Sequence, residues 1–127
     1  MKKYISSGTE WENIVGYSRS VRVGNVIEVS GTVASDGNNV VGKNDEYLQT
    51  KFILKKIESA LKEAGASLND VVRTRIYVKD ISKWSEVAKA HQEVFGKIKP
   101  ATSMVEVSAL ISPEYLVEIE ATAILDL

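Results

Sequence analysis

The sequence of 127 residues contains no cysteine and a single histidine, His91, and these scarcities exclude several kinds of site. Without cysteine there is no disulfide, no thiolate metal ligand and no cysteine nucleophile. Zinc and iron sites usually use several histidine, cysteine or carboxylate ligands, so one histidine argues against a metal centre. A Ser-His-Asp triad would have to use His91 as its base. We therefore expect no metal and no cofactor.

Strong net charge and long apolar runs are also absent. The net charge is −1, and acidic and basic residues are intermixed. Such a chain lacks the electrostatic field that attracts nucleic acid or an anionic membrane. No apolar stretch approaches the roughly 20 residues that span a bilayer, and "MKKYISSGTEW" has no apolar run typical of a signal peptide. We expect a cytoplasmic protein, with no membrane and no nucleic-acid partner.

The first half of the sequence predicts a β-hairpin followed by a helix. Two β-rich runs, Arg19–Val23 and Val26–Val33, are separated by Gly24 and Asn25, a connection typical of hairpins. A turn-rich segment follows. Apolar residues then recur at helical spacing and predict a helix of about five turns over Asp45–Ala64.

The second half predicts a strand, a helix and two more strands. These are Val71–Val78, a helix from Asp80 to Gly96, Thr102–Val107 and Leu116–Leu125. Two amphipathic helices can cover one face of a single sheet. Residues 1–127 are therefore predicted to form one domain, a two-layer α+β sandwich with one mixed sheet and two helices on one face.

The second face of that sheet is predicted to be polar and to carry charges of both signs. Its members are Glu28, Ser30, Thr32, Arg73, Arg75, Tyr77, Met104, Glu106, Glu118, Glu120 and Thr122. Two interpretations fit this pattern. The face is open to solvent, as in many antiparallel sheets. Alternatively, arginines and carboxylates pair across a subunit interface, because an unpaired buried charge is costly.

Four segments in order, "GYSRSVRVGNVIEVSGTVA", "LKEAGASLNDVVRTRIYVKDIS", "KPATSMVEVSAL" and "LVEIEATAI", resemble the RidA family, also called the YjgF or perchloric-acid-soluble-protein family. The resemblance runs from about Gly16 to Leu125. It implies a chorismate-mutase-like fold and a homotrimer whose sheets form a central barrel with the helices outside. It also implies small-molecule clefts between subunits, and it favours the interface interpretation of the polar face.

The best-understood branch of the family hydrolyses 2-imino or enamine acids to 2-keto acids and ammonia. There, an arginine in a Pro-Ala-Arg-Ser pattern binds the substrate carboxylate, whereas this sequence has Thr102 at that position. One neutral hydroxyl cannot replace a planar, charged, bidentate group. Ala88, where the branch often has asparagine, is a second departure. The resemblance thus implies a divergent branch that does not act on the usual 2-imino acids, unless another arginine such as Arg19 compensates.

Other family positions are retained, and the resemblance gives them roles. Glu118 aligns with the glutamate proposed to orient water, and the alignment that places Glu120 at this position is less favoured. Tyr17 aligns with a tyrosine that lines the cleft. We predict Glu118 as the catalytic residue, and the predicted ligand contacts are Tyr17, Arg19, Gly31, Thr32, Thr102 and Ser103.

Three further residues are interpreted as structural. His91 lies on the apolar stripe of the second helix, which also includes Ile81 and Trp84, and we expect it to be half-buried and hydrogen-bonded. Trp84 is expected to pack against the domain, and Trp11 to be a hydrophobic anchor.

The predicted function is hydrolysis of an imine, enamine or related metabolite in the inter-subunit clefts. The alternative is a trimer that binds a small molecule without catalysis. Ribonuclease activity, often attributed to this family, has little support because the sequence has no basic patch, no RNA-binding signature and no histidine pair.

Overall fold

The computed structural model describes residues 1–126, and Leu127, the last residue of the predicted domain, lies outside the described residues. The elements are, in chain order, β1 (Lys2–Ile5), α1 (Glu10–Val15), β2 (Ser20–Val23), β3 (Val26–Thr32), β4 (Ser35–Asp36), β5 (Asn39–Val40), α2 (Glu46–Glu63), β6 (Val71–Val78), α3 (Trp84–Phe95), β7 (Ala101–Glu106) and β8 (Val117–Ile124). The predicted α+β architecture with one mixed sheet is confirmed.

Six strands form the main sheet, in the order β1-β2-β3-β8-β6-β7, and β4 and β5 form a separate small hairpin. Only the β6–β7 pair is parallel among these strands, because α3 carries the chain back before β7 begins. The last strand, β8, lies between β3 and β6 and pairs antiparallel with both. The two edges of the sheet are therefore β1 and β7.

Helix α2 provides much of the hydrophobic core. Its first turn is capped by Asp45, whose carboxylate accepts a hydrogen bond from the Leu48 backbone N–H at 2.9 Å. Gly65 follows the helix at φ +88°, a conformation that glycine adopts without steric cost. The buried face of α2 contributes Ile53, Leu54, Ile57 and Leu61, which pack with residues of β3, β6 and β8. No helix within residues 1–126 is both long enough and apolar enough to cross a membrane.

Three residues lie on a different face of the sheet from the one predicted. A bulge interrupts the β3–β8 register between Val29 and Thr32, so Thr32 pairs with Ile119 and is buried in the core rather than facing the polar side. Met104 lies beside Ile76 in the β6–β7 register and packs against the core. Glu106 lies beside Val78 in the same register and accepts a hydrogen bond from the Ile81 backbone N–H on the helix side. Cross-strand neighbours point to the same side of a sheet. A prediction that assumes strict alternation from the first residue of a strand therefore fails where a bulge intervenes or where the register is shifted.

The N-terminal elements and the β4–β5 hairpin were not predicted. Strand β1 has four residues and α1 has six, too short for either periodicity to show in the sequence. The predicted packing of Trp84 is wrong within one chain, since its side chain is 57% exposed, and Ile81 is 40% exposed. Trp11 is 51% exposed on α1 and is not an anchor within the chain.

Candidate functional site

Four of the predicted site residues converge where β2, β3 and β8 lie side by side. Gly31 belongs to the bulge of β3, and Glu118 extends from β8 directly over it. A Cβ at Gly31 would collide with the Glu118 Oε2 atom, so glycine is needed for this close approach. Arg19 and Tyr17 complete the group from the segment before β2. We refer to Tyr17, Arg19, Gly31 and Glu118 as the carboxyl cluster.

Arg19 is an almost fully buried cation, with 9% of its surface exposed. Its Nη2 donates a hydrogen bond to the Gly31 carbonyl at 2.7 Å, and its guanidinium lies 5.7 Å from the centre of the Tyr17 ring. Its buried Nε has no hydrogen-bond partner among residues 1–126. Because a buried donor without a partner is costly, Arg19 is held in this position at an energetic cost.

The environment of Glu118 favours its neutral form more than water does. Burial raises the pKa of the Glu118 carboxyl, the neighbouring Glu120 raises it further, and the positive charge of Arg19 opposes the shift. A carboxyl group whose pKa is moved towards neutrality is able to exchange protons with a reacting molecule. This environment is the kind that general acid–base residues occupy, and the catalytic role of Glu118 stays a prediction.

Beside the carboxyl cluster lies an open groove of about 540 Å³. Tyr17, Ser30 and Glu12 are among the residues that line it. Glu12 is 5% exposed, although no pattern in the sequence indicated that it would be buried. Its carboxylate accepts hydrogen bonds from Ser6 Oγ at 2.8 Å and from the Ser7 backbone N–H at 3.1 Å, and it also contacts the Ser7 and Thr9 hydroxyls.

We expect replacement of Glu12 by glutamine to destabilise the protein by about 2 kcal/mol, since hydrogen bonds to a charged group contribute roughly 1.5–3 kcal/mol. Burial raises the pKa of Glu12, but the hydrogen bonds from Ser7, Ser6 and Thr9 outweigh this effect and hold the pKa below its ordinary value. This stabilisation is complete above the unfolded-state pKa and is lost as the pH falls through the folded-state pKa.

Urea unfolding of wild type and Glu12→Gln at pH 7 and at pH 3.5 tests this prediction. The difference between the two proteins should shrink at the lower pH. Glu10→Gln, at an exposed position on the same helix, is the control. A difference that is equal at both pH values would contradict the assignment.

A second group of polar residues lies at the other edge of the sheet. His91 Nε2 is 3.0 Å from Thr74 Oγ1, and Thr74 Oγ1 is 2.7 Å from Thr102 Oγ1. Thr102 Oγ1 is also 3.3 Å from the Pro100 carbonyl, to which it can donate. We refer to His91, Thr74 and Thr102 as the hydroxyl chain.

The hydroxyl chain runs from a half-buried histidine to an exposed threonine. Burial lowers the pKa of His91, which favours the neutral imidazole, and the ring lies against Phe95 with centroids 4.7 Å apart. The expectation that His91 is half-buried and hydrogen-bonded is confirmed. Thr74 was not predicted as a site residue. A polar residue between the apolar positions of a core strand was the one signal for it.

The two clusters lie on opposite faces of the sheet. Thr102 pairs with Thr74, whose side chain is buried on the helix side, whereas Glu118 pairs with Tyr77 on the polar side. Ser103, next to Thr102, also lies on the polar side and accepts a hydrogen bond from Arg73 Nη2 at 2.9 Å. Within one chain the predicted contacts are therefore divided. Tyr17, Arg19 and Gly31 accompany Glu118, while Thr102 lies apart, Ser103 bonds Arg73 and Thr32 is in the core.

Residues 8–125 match the family model described as endoribonuclease L-PSP. Among curated proteins, the chain is 42% identical over 108 residues to a RutC family protein of Pyrococcus abyssi, covering 84% of each chain. It is 33% identical over 108 residues to the 3-aminoacrylate deaminase RutC of Acinetobacter baylyi, covering 84% of this chain and 85% of that protein.

Solved structures of similar chains share the whole fold. A member of the YjgF/YER057c/UK114 family from Mycobacterium tuberculosis is 54% identical, with a TM-score of 0.91 over 98% of this chain and 100% of that one. A protein of Thermotoga maritima described as a putative endoribonuclease is 29% identical, with a TM-score of 0.82 over 98% of this chain and 93% of that one.

Proposed function

The chain belongs to the RidA/YjgF family, and from that membership we propose that it is a homotrimer that hydrolyses an imine or enamine metabolite in clefts between its subunits. One observation carries the proposal: Glu118 is a half-buried carboxyl, held over Gly31 beside a buried arginine. The similarity to a 3-aminoacrylate deaminase is consistent with it, because the named substrate is an enamine.

The division of the site within one chain supports the trimer. The carboxyl cluster and the hydroxyl chain lie on opposite faces of one sheet, so a single cleft that uses both must take them from two different subunits. The polar face, with its Arg75–Glu120 ion pair at 3.6 Å, then lies towards the trimer interior.

The proposed reaction needs only water and an acid–base group. Glu118 accepts a proton from a water molecule as the water oxygen bonds to the imine carbon, and the electron pair of the C=N double bond moves to nitrogen. The carboxyl returns this proton to the nitrogen, which gives a carbinolamine. Glu118 then takes the remaining hydroxyl proton and passes it to the nitrogen. The carbon–nitrogen bond breaks with its electron pair on nitrogen, and a carbonyl compound and ammonia leave. Arg19 and Tyr17 hold the ligand and the Gly31 backbone in place, and the reaction requires no cofactor.

Thr102 narrows the choice of substrate. The hydroxyl offers no positive charge, so the site lacks the charged clamp that the imino-acid-hydrolysing branch uses. We propose that the natural substrate is not one of the usual 2-imino acids. Arg19, the one buried cation among residues 1–126, is then the group that would bind an anion. The same departure favours a second candidate, a trimer that binds a metabolite without converting it.

We expect light scattering to give a mass of about three chains, and imine-hydrolysis assays to give slow, Glu118-dependent turnover. An amino-acid oxidase supplies 2-iminopropionate or 2-iminobutyrate, and the protein competes with semicarbazide for the imine. A monomer in solution would contradict the cleft. A trimer that is inactive in wild-type and variant forms, yet is stabilised against heat by small metabolites, would support the binding alternative.

A further inference from the structure

Thr102 is the exposed end of the hydroxyl chain, a continuous row of hydrogen-bonding groups. The row begins at His91 Nε2, passes through Thr74 Oγ1 and reaches Thr102 Oγ1, with separations of 3.0 and 2.7 Å. Thr74 has no exposed surface, so its hydroxyl must use these two neighbours. The direction of donation in one hydrogen bond therefore fixes the direction in the other, from the buried His91 to the exposed Thr102.

Two proton orders satisfy this row. If His91 carries its proton on Nδ1, Nε2 accepts from Thr74, and Thr74 accepts from Thr102. If His91 carries it on Nε2, the direction reverses, and Thr102 donates to the Pro100 carbonyl, 3.3 Å away. In both orders the Thr102 proton is already used inside the protein, and a lone pair of Thr102 Oγ1 remains free on the exposed side.

From this geometry we propose that Thr102 accepts a hydrogen bond from an N–H group of the ligand, and that His91, acting through Thr74, is the positioning residue that keeps it an acceptor. This inference rests on the proposed function only for the location of the ligand. It names the ligand class, a small molecule that presents an imine, amide or amine N–H where carboxylate-binding relatives accept an anion. An arginine at this position only donates, whereas Thr102 in this setting accepts.

The single histidine makes the hydroxyl chain directly observable. In protein labelled with ¹⁵N-histidine, the two imidazole nitrogens report the tautomer and the titration of His91 with no overlap from other residues. Within residues 1–126, His91 makes no hydrogen bond or ion pair with a charged side chain, and its ring contacts Thr74 and Phe95. Changes in its spectrum therefore report the row itself.

We expect Thr102→Val to change the tautomer ratio of His91 or shift its titration, and Thr102→Ser to restore the wild-type spectrum. Thr74→Val should have the larger effect, because it breaks the row at its centre while keeping the shape of the buried side chain. Ser103→Ala, on the same strand but the opposite face, is the control and should leave His91 unchanged. An unchanged His91 spectrum in folded Thr102→Val would overturn the coupling.

The ligand class is tested with propionamide and propionate, which have the same shape but differ in that only the amide has N–H donors. We expect propionamide to perturb the His91 signals at a concentration about threefold to tenfold lower than propionate, as one hydrogen bond predicts. Equal effects, a preference for propionate, or no response to either probe would overturn the ligand assignment. If these results hold but Glu118→Gln leaves imine hydrolysis intact, the proposed reaction fails while the acceptor role of Thr102 stands.

Discussion

Replacing Glu118 with glutamine is expected to lower the rate of imine hydrolysis by about a hundredfold or more, the usual contribution of a general acid–base group. Glutamine keeps the size of the side chain and still fits above Gly31, but it cannot take a proton from water. The fold should therefore survive, and kcat should fall more than KM rises. If wild-type turnover of imino acids is slow, the comparison is made in the Thr102→Arg background as well.

The pH dependence gives an independent signature of Glu118. A general base acts in its ionised form, and because the pKa of Glu118 is raised, activity should rise with pH across a range above the ordinary value of 4.5. That acidic limb of the profile should disappear in the glutamine variant. Glu120→Gln is the matched control, and because Glu120 raises the pKa of Glu118, this variant should move the limb to lower pH without abolishing it.

A second variant tests whether the position of the Glu118 carboxyl matters, without removing its charge. Gly31→Ala leaves the Glu118 carboxyl in the protein but forces it away from its position, because the new methyl group occupies the same space. We expect activity to fall with little loss of stability, since the end of a flexible side chain can move. Full activity in both Glu118→Gln and Gly31→Ala would exclude Glu118 from the reaction.

The sequence predicts most of the fold because periodicity reports burial directly. Strand β6 begins and ends where predicted, at Val71 and Val78, and α2 lies within one residue of its predicted ends. Alternation fails at the bulge of β3, where an inserted residue turns Thr32 into the core. Short elements also escape prediction, because four to six residues give no measurable period.

The candidate site is only partly visible in the sequence for a different reason. Family resemblance identifies Tyr17, Gly31 and Glu118 individually, but it cannot show that Arg19 bonds the Gly31 carbonyl and leaves Nε without a partner. The hydroxyl chain joins residues 17 and 28 positions apart, on three different elements. Such contacts depend on strand register and helix placement, which no local pattern encodes.

Replacing Thr102 with arginine is expected to improve the use of 2-iminobutyrate by about 10- to 150-fold in kcat/KM, because a charge-assisted hydrogen bond to the carboxylate contributes roughly 1.5–3 kcal/mol. Thr102 is exposed on the edge strand β7, so a long side chain can be accommodated without disturbing the core. The semicarbazide competition assay measures the change directly.

Two controls distinguish geometry from charge in this experiment. Thr102→Lys adds the same charge without the planar fork and should gain less. Ser103→Arg adds an arginine one residue away on the opposite face of the strand and should gain nothing.

A gain in Thr102→Arg alone means that the water-activating half of the site is intact and that only recognition has changed. Strong wild-type activity with no gain means that another cation already binds the carboxylate, and Arg19→Gln should then abolish it. If no variant hydrolyses imines, the result would favour the binding role, because Glu118 would then have no imine to act on.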